Sequence, residues 1–179
     1  MSDQMPEFSR LVDVSRIPAE GFEETIAADP GECAHLAARL GVVRVMALTA
    51  TFILTPWRHG AVRVRGRIGA EVEQNCVVSL DNFVVTVSED VERFFAGDNE
   101  PGRSGVVVHV DSLEGDEPDL VRNGQIDLGE LAAETLALTL DPYPRKPGAV
   151  FASPGQDETV ASPEQRENPF SVLENWPRK

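Results

Sequence analysis

Three arginines at alternate positions, Arg63, Arg65 and Arg67, are the side chains whose type and spacing point most directly to chemistry. On an extended strand, residues two apart share a face with Cα atoms about 6.6–6.8 Å apart. That is close to the separation of successive phosphates along a nucleic-acid strand, and a guanidinium grips phosphate through paired N–H donors. Arg58, His59 and Trp57 stand just before the row, where the indole adds a stacking ring. The candidate RNA-binding residues are therefore Arg58, Arg63, Arg65 and Arg67. The competing reading, favoured because outward charges on a half-exposed sheet are ordinary, is a solvated face whose arginines pair across strands with the many acids of residues 71 to 95.

Other chemistries find less support. Cys33, Cys76, His35, His59 and His109 form no C-x-x-C, H-x-x-H or H-E-x-x-H spacing, so no metal site is expected. There is no G-x-S-x-G, and Cys76 has no nearby His or Lys in sequence to lower its pKa. Gly66-Arg67-Ile68-Gly69 has too few glycines for a dinucleotide loop. Carboxylate pairs such as Glu89/Asp90 and Asp116/Glu117 sit in charged runs that read as solvated. No catalytic residue and no cofactor are expected. Near the end of the chain, Phe170, Leu173 and Trp176 are spaced to share one face of a short helix, which fits docking either on a partner or on the chain itself.

The elements that must position these residues follow from periodicity. Phe8 to Val14 reads as extended, with a second extended piece over Phe22 to Ala27. Asp29, Pro30 and Glu32 make a capping box for a helix whose Cys33, Leu36, Ala37 and Leu40 share a face and whose left-handed stop is Gly41. In Val45 to Thr55, Leu48, Ala50, Phe52 and Leu54 alternate with Thr49, Thr51 and Thr55. After a turn at Pro56 to Gly60, the strand Ala61 to Gln74 turns Val62, Val64, Ile68 and Val72 inward and the arginine row outward. Gly66 interrupts the inward row, which marks a bulge or a close approach. Phe83 to Phe95 forms a third strand, Ala96 to Gly105 a loop, Val106 to Val110 a short strand and Asp111 to Asp119 an acidic turn. A second helix begins at Asp127, with Glu130 as its capping-box partner, and Leu138 and Leu140 extend it to Asp141-Pro142.

The expected fold is thus α+β: an antiparallel β-sheet, two principal helices and a mostly extended tail. Its 179 residues suit one α+β domain over residues 1–147, followed by a flexible tail over 148–179 with a docking segment at 168–176. Two cysteines make neither a disulfide framework nor a four-thiolate zinc site. The start lacks an apolar signal stretch and no run reaches the ~20 apolar residues that cross a bilayer, so a cytoplasmic protein with no membrane partner is expected.

A net charge of −14 argues against a surface that binds nucleic acid everywhere. The charge is unevenly spread. Residues 1 to 32 carry two Arg and eight acids, and residues 71 to 141 carry three Arg and 17 acids, whereas residues 33 to 70 carry six Arg and no acid. Acidity limits where RNA would bind and makes a basic protein a competing partner.

Several segments are familiar in combination. The strand Val62 to Gln74 leading to Cys76-Val77-Val78-Ser79-Leu80, the run Ile126-Asp127-Leu128-Gly129-Glu130-Leu131, the run Glu134-Thr135-Leu136-Ala137-Leu138, the stretch Asp141-Pro142-Tyr143-Pro144-Arg145-Lys146-Pro147-Gly148 and the closing Asn168-Pro169-Phe170 together resemble the YceD family in its alphaproteobacterial form. Members are called large ribosomal RNA subunit accumulation proteins. The resemblance implies a bacterial, cytoplasmic, non-enzymatic ribosome-biogenesis factor that supports 23S rRNA synthesis, processing or accumulation. Its partner would be 23S rRNA or its precursor, or a basic large-subunit ribosomal protein; DNA is not expected. The alternative is an RNA-maturation enzyme, a hydrolase or nuclease. Many relatives carry a second Cys three positions after the first, where this chain has Ser79, so a thiol pair is not implied here.

Overall fold

The computed structural model describes residues 6–97, 118–121 and 123–151. In chain order the elements are β1 (Leu11–Asp13), β2 (Phe22–Ala27), α1 (Pro30–Leu40), β3 (Arg44–Pro56), β4 (Val62–Asn75), β5 (Asn82–Gly97), β6 (Asp119–Val121), β7 (Gln125–Asp127) and α2 (Leu128–Thr139). The class is α+β, as expected. The expected strand at Val106 to Val110 and the docking residues Phe170, Leu173 and Trp176 lie outside the described residues.

A five-stranded sheet of order β2-β3-β4-β5-β6 forms the frame, antiparallel except for the parallel β5–β6 pair. Alternation decides its faces. Leu48, Ala50, Phe52 and Leu54 of β3 and Val62, Val64, Ile68 and Val72 of β4 are all buried, in the same core as Leu36 of α1 and Leu131 and Leu136 of α2. Each large side chain buried in this way contributes ~1.5–3 kcal/mol relative to exposure. The helices therefore cover one face, with α1 packed on β3 and α2 on β4 and β5.

Gly66 is a close approach and not a bulge. It pairs with Phe52 on the inner face, and a Cβ there would overlap the Phe52 ring and the Thr51 carbonyl oxygen. The bulge lies instead on β3, between Val45 and Ala47.

The capping box of α1 is complete: Asp29 Oδ1 accepts from Gly31 N and Glu32 N at 2.7 and 2.9 Å, and Asp29 N donates to Glu32 at 2.8 Å. Gly41 ends the helix at φ 66°, a conformation glycine adopts without a Cβ penalty.

Three expectations are corrected. The first strand is only Leu11–Asp13 and stays outside the main sheet, pairing with β7, because Val14–Arg16 turns as a 3-10 helix and Phe8 is buried in the core rather than strand-paired. The second helix ends at Thr139, and Leu138 faces solvent while Leu136 is buried, because a residue two positions on falls on the other side of a helix. Glu130 does not close a capping box on α2; its carboxylate binds Arg39 instead.

Candidate functional site

The face of the sheet opposite the helices carries the arginine row. Residues directly opposite each other across an antiparallel pair point to the same side, so register builds three cross-strand rows: Thr55, Arg63 and Phe94; Ile53, Arg65 and Glu92; Thr51, Arg67 and Asp90. Arg63, Arg65 and Arg67 do share one face, as the spacing predicts.

Each of them meets a carboxylate. Arg67 binds Asp90 through two N–H donors at 2.7 and 2.9 Å, Arg63 Nε donates to Glu92 at 2.5 Å, and Arg65 Nε lies 3.6 Å from the other oxygen of Glu92. The hydrogen bond from Arg67 holds Asp90 below the usual carboxylate range, and that from Arg63 does the same for Glu92. These pairs are exposed and solvent screens them, so they add little stability. Their consequence is electrostatic: two carboxylates offset two of the row's three charges, and a phosphate would have to compete with them for the guanidinium donors. The cross-strand reading of the sequence is the arrangement present.

Beyond the row, Trp57 is half-exposed. The guanidinium of Arg63 lies 5.0 Å from its ring centroid and that of Arg58 lies 5.8 Å away, while the Phe94 ring stands 5.7 Å off at a 53° tilt. Arg58 thus joins the far end of the same face, stacked on an aromatic ring.

The second motif is the turn between β4 and β5. Cys76 N donates to Asp81 O at 2.8 Å, Leu80 N to Cys76 O at 2.9 Å and Val77 N to Pro144 O at 2.9 Å. Ser79 N points at the Cys76 sulfur, 3.4 Å away. Hydrogen bonding from Ser79 stabilises the thiolate and brings the Cys76 pKa down to about 6, against the opposing effect of burial. No cation is needed, which is why the sequence search for a neighbouring His or Lys missed it; Cys33, buried beneath α1 near Asp29 and Glu32, is pushed the other way, first by desolvation. In a Cys33→Ala variant, thiolate absorbance is expected to titrate with a midpoint of about 6, set by the hydrogen bonds of the turn. Because the folded form holds this proton less tightly than the unfolded chain, the stabilisation is complete above the ordinary thiol value of ~8.5 and is lost as pH falls to about 6. A midpoint in the ordinary thiol range would show that the sulfur does not receive these hydrogen bonds.

The run Ile126 to Leu131 has a positioning role. Asp127 Oδ1 caps α2, accepting from Gly129 N and Glu130 N at 3.0 and 3.2 Å, and also accepts from Arg10 N at 2.8 Å, while Ser9 Oγ donates to Oδ2 at 2.5 Å. Glu130 takes two N–H donors of Arg39 at 2.6 and 2.9 Å, and Arg39 also reaches Glu7 at 3.0 Å. The hydrogen bond to Glu130 raises the Arg39 pKa above the ordinary guanidinium value. Arg10 in turn binds Glu32 of α1 through two donors at 2.7 and 2.9 Å. Ser9 and Arg10 are therefore clamped to the N-terminal ends of both helices, and Glu7 to Arg39 in the last turn of α1. Gly129 permits this: a Cβ there would stand 2.6 Å from the Phe8 carbonyl oxygen. Sequence reasoning missed Arg10, Ser9 and Arg39 because their partners are remote along the chain.

Among the described residues, no three His, Cys, Asp or Glu side chains converge as a metal site, and no helix is long and apolar enough to cross a membrane.

The family model described as large ribosomal RNA subunit accumulation protein YceD matches residues 64–176, well over half of the chain. No curated protein and no solved structure matches significantly.

Proposed function

The chain belongs to the YceD family, and from that premise we propose that it is a cytoplasmic, non-enzymatic ribosome-biogenesis factor that supports accumulation of 23S rRNA by holding a basic large-subunit ribosomal protein. The observation that carries the choice of partner is the arginine row already engaged across the sheet: Arg63 and Arg65 share Glu92 and Arg67 pairs with Asp90, so two of its three charges are offset. Nucleic-acid affinity rests on uncompensated cations that displace counterions, and this face offers few. The excess of acid elsewhere suits a basic protein. The residues that an enzymatic reading would put to use, Asp127 and Glu130, are already committed to a helix cap and an ion pair.

One observation favours direct RNA contact: Trp57, half-exposed and flanked by Arg58 and Arg63, is a platform on which a base would stack. The two readings part on one measurement. Replacing Arg63, Arg65 and Arg67 together by Gln removes their charge without setting like charges side by side, and Trp57→Ala removes the platform. Affinity of both variants for 23S rRNA fragments is expected to stay within about twofold of the parent chain; a loss of about tenfold with a shallower salt dependence would assign the partner to RNA.

A further inference from the structure

The Cys76–Asp81 turn holds an apolar side chain where packing within the described residues gives it no return. Leu80 lies at φ 62°, in the left-handed region, yet its side chain is 77% exposed. That backbone is strained for a leucine, and Gly or Asn would adopt it more readily. Nor is the turn loose, since backbone hydrogen bonds close it and tie Val77 to Pro144. Val77 and Tyr143 are exposed as well. These exposed apolar side chains, borne on a hydrogen-bonded turn and the segment tied to it, are available for contact with another protein.

A cavity of about 510 Å³ opens beside it, and its lining brings together the C-terminal ends of both helices, Leu40 and Gly41 from α1 and Ala137 and Leu140 from α2, along with Val77 and Asp141. A helix C-terminus carries the negative end of the helix dipole and carbonyls that seek donors. α2 has no basic side chain in its last turn. α1 has Arg39, which also lines the cavity, but its guanidinium binds Glu130 and Glu7. The nearby Lys146 pairs with Asp81. Two dipole ends and Asp141 thus favour an incoming cation and disfavour phosphate.

We propose that this cavity receives a lysine or arginine side chain from a basic segment of a partner protein, whose neighbouring apolar residues pack on Val77, Leu80 and Tyr143. The inference rests on the reading of the partner as a basic ribosomal protein, and locates where that partner binds.

Two variants test it with the full chain. Leu80→Asn keeps a residue that tolerates the left-handed backbone and removes the apolar contact. Ala137→Arg, at an exposed helical position lining the cavity, supplies a cation from within and complements the α2 dipole, so its thermal midpoint should not fall. The probe is the protein fraction of large ribosomal subunits freed of RNA; captured proteins are identified, purified and titrated. Capture of a basic protein by the parent chain, with affinity reduced about tenfold or more by each variant at unchanged thermal stability, is the expected result. Capture with affinity unchanged in both variants would overturn the cavity as the site while leaving the partner class standing. Failure of the parent chain to capture any basic protein would overturn the partner class, and the cavity proposal with it.

Discussion

Gly66→Ala is expected to destabilise the protein by about 3 kcal/mol or more, the upper range for overpacking a core. The site has no slack. Gly66 pairs with Phe52 between Thr51–Arg67 and Ile53–Arg65, in the middle of a long antiparallel ladder, and Phe52 is fully buried with its ring over the glycine. A methyl group would overlap both that ring and the Thr51 carbonyl oxygen. The ring can be shortened by mutation, whereas the carbonyl belongs to the β3 backbone and moves only if the strand does. Adding Phe52→Leu to Gly66→Ala should therefore restore only part of the stability. Chemical denaturation of the two single variants and the double variant measures this. Full recovery in the double variant would locate the clash in the ring alone, and a Gly66→Ala protein as stable as the parent would mean that β3 and β4 leave room for a methyl group at this position.

Asp127→Ala is the second large effect, about 3 kcal/mol, because one carboxylate serves four donors. Loss of an N-cap alone costs ~1–2 kcal/mol, and each remaining partly buried donor left without an acceptor adds about 1 kcal/mol. The damage should be directional. Arg10 N and Ser9 Oγ lose their acceptor, so the segment around Phe8 should detach from α2 before the sheet opens, and hydrogen exchange at residues 8 to 13 should accelerate more than exchange in β3 or β4. Asp127→Asn retains an acceptor for the helix cap and loses the charge, so it should cost less than half as much. Uniform acceleration across the sheet, or equal losses in the two variants, would contradict this division of roles. The test also bears on function: a variant that fails in ribosome assembly through Asp127 would fail by loss of fold, and its phenotype would carry no information about catalysis.

The chain belongs to the YceD family and folds as an α+β protein. The charge arrangement refines this. The six arginines of residues 33 to 70 look in sequence like an electrostatic footprint for RNA. In the fold, Arg39 joins Glu130 and Glu7, Arg44 stands 3.9 Å from Glu73, and the row of three meets Glu92 and Asp90. Only Arg58 of the six is held by an aromatic ring instead of a carboxylate among the described residues.

How much was legible follows from the range of each interaction. The capping box at Asp29 and Glu32 could be read directly, since three residues along a nascent helix suffice to form it. The buried sides of β3 and β4 were equally readable, because a strand turns alternate residues to opposite faces whatever it pairs with. The hairpin acids were visible as candidate partners for the arginine row, but Glu92 serving both Arg63 and Arg65 required the β4–β5 register. At Glu130 local reasoning chose the wrong partner: a carboxylate three residues after a cap can return to the helix start, and here a guanidinium from α1, 91 residues earlier, offered two stronger donors.

The amino-acid sequence by itself determined the α+β class, the cap and stop of α1, the inner and outer faces of the central strands and the alignment of Arg63, Arg65 and Arg67, all of which depend on backbone geometry repeating over a few residues. Tertiary structure decided what those residues do: that the arginines share two carboxylates, that Gly66 yields its space to Phe52, that Asp127 anchors Ser9 and Arg10, and that two helix ends meet beside Val77. Charge, close packing and dipole direction act through space, and distance in space is set only when strands take their register and helices settle on the sheet.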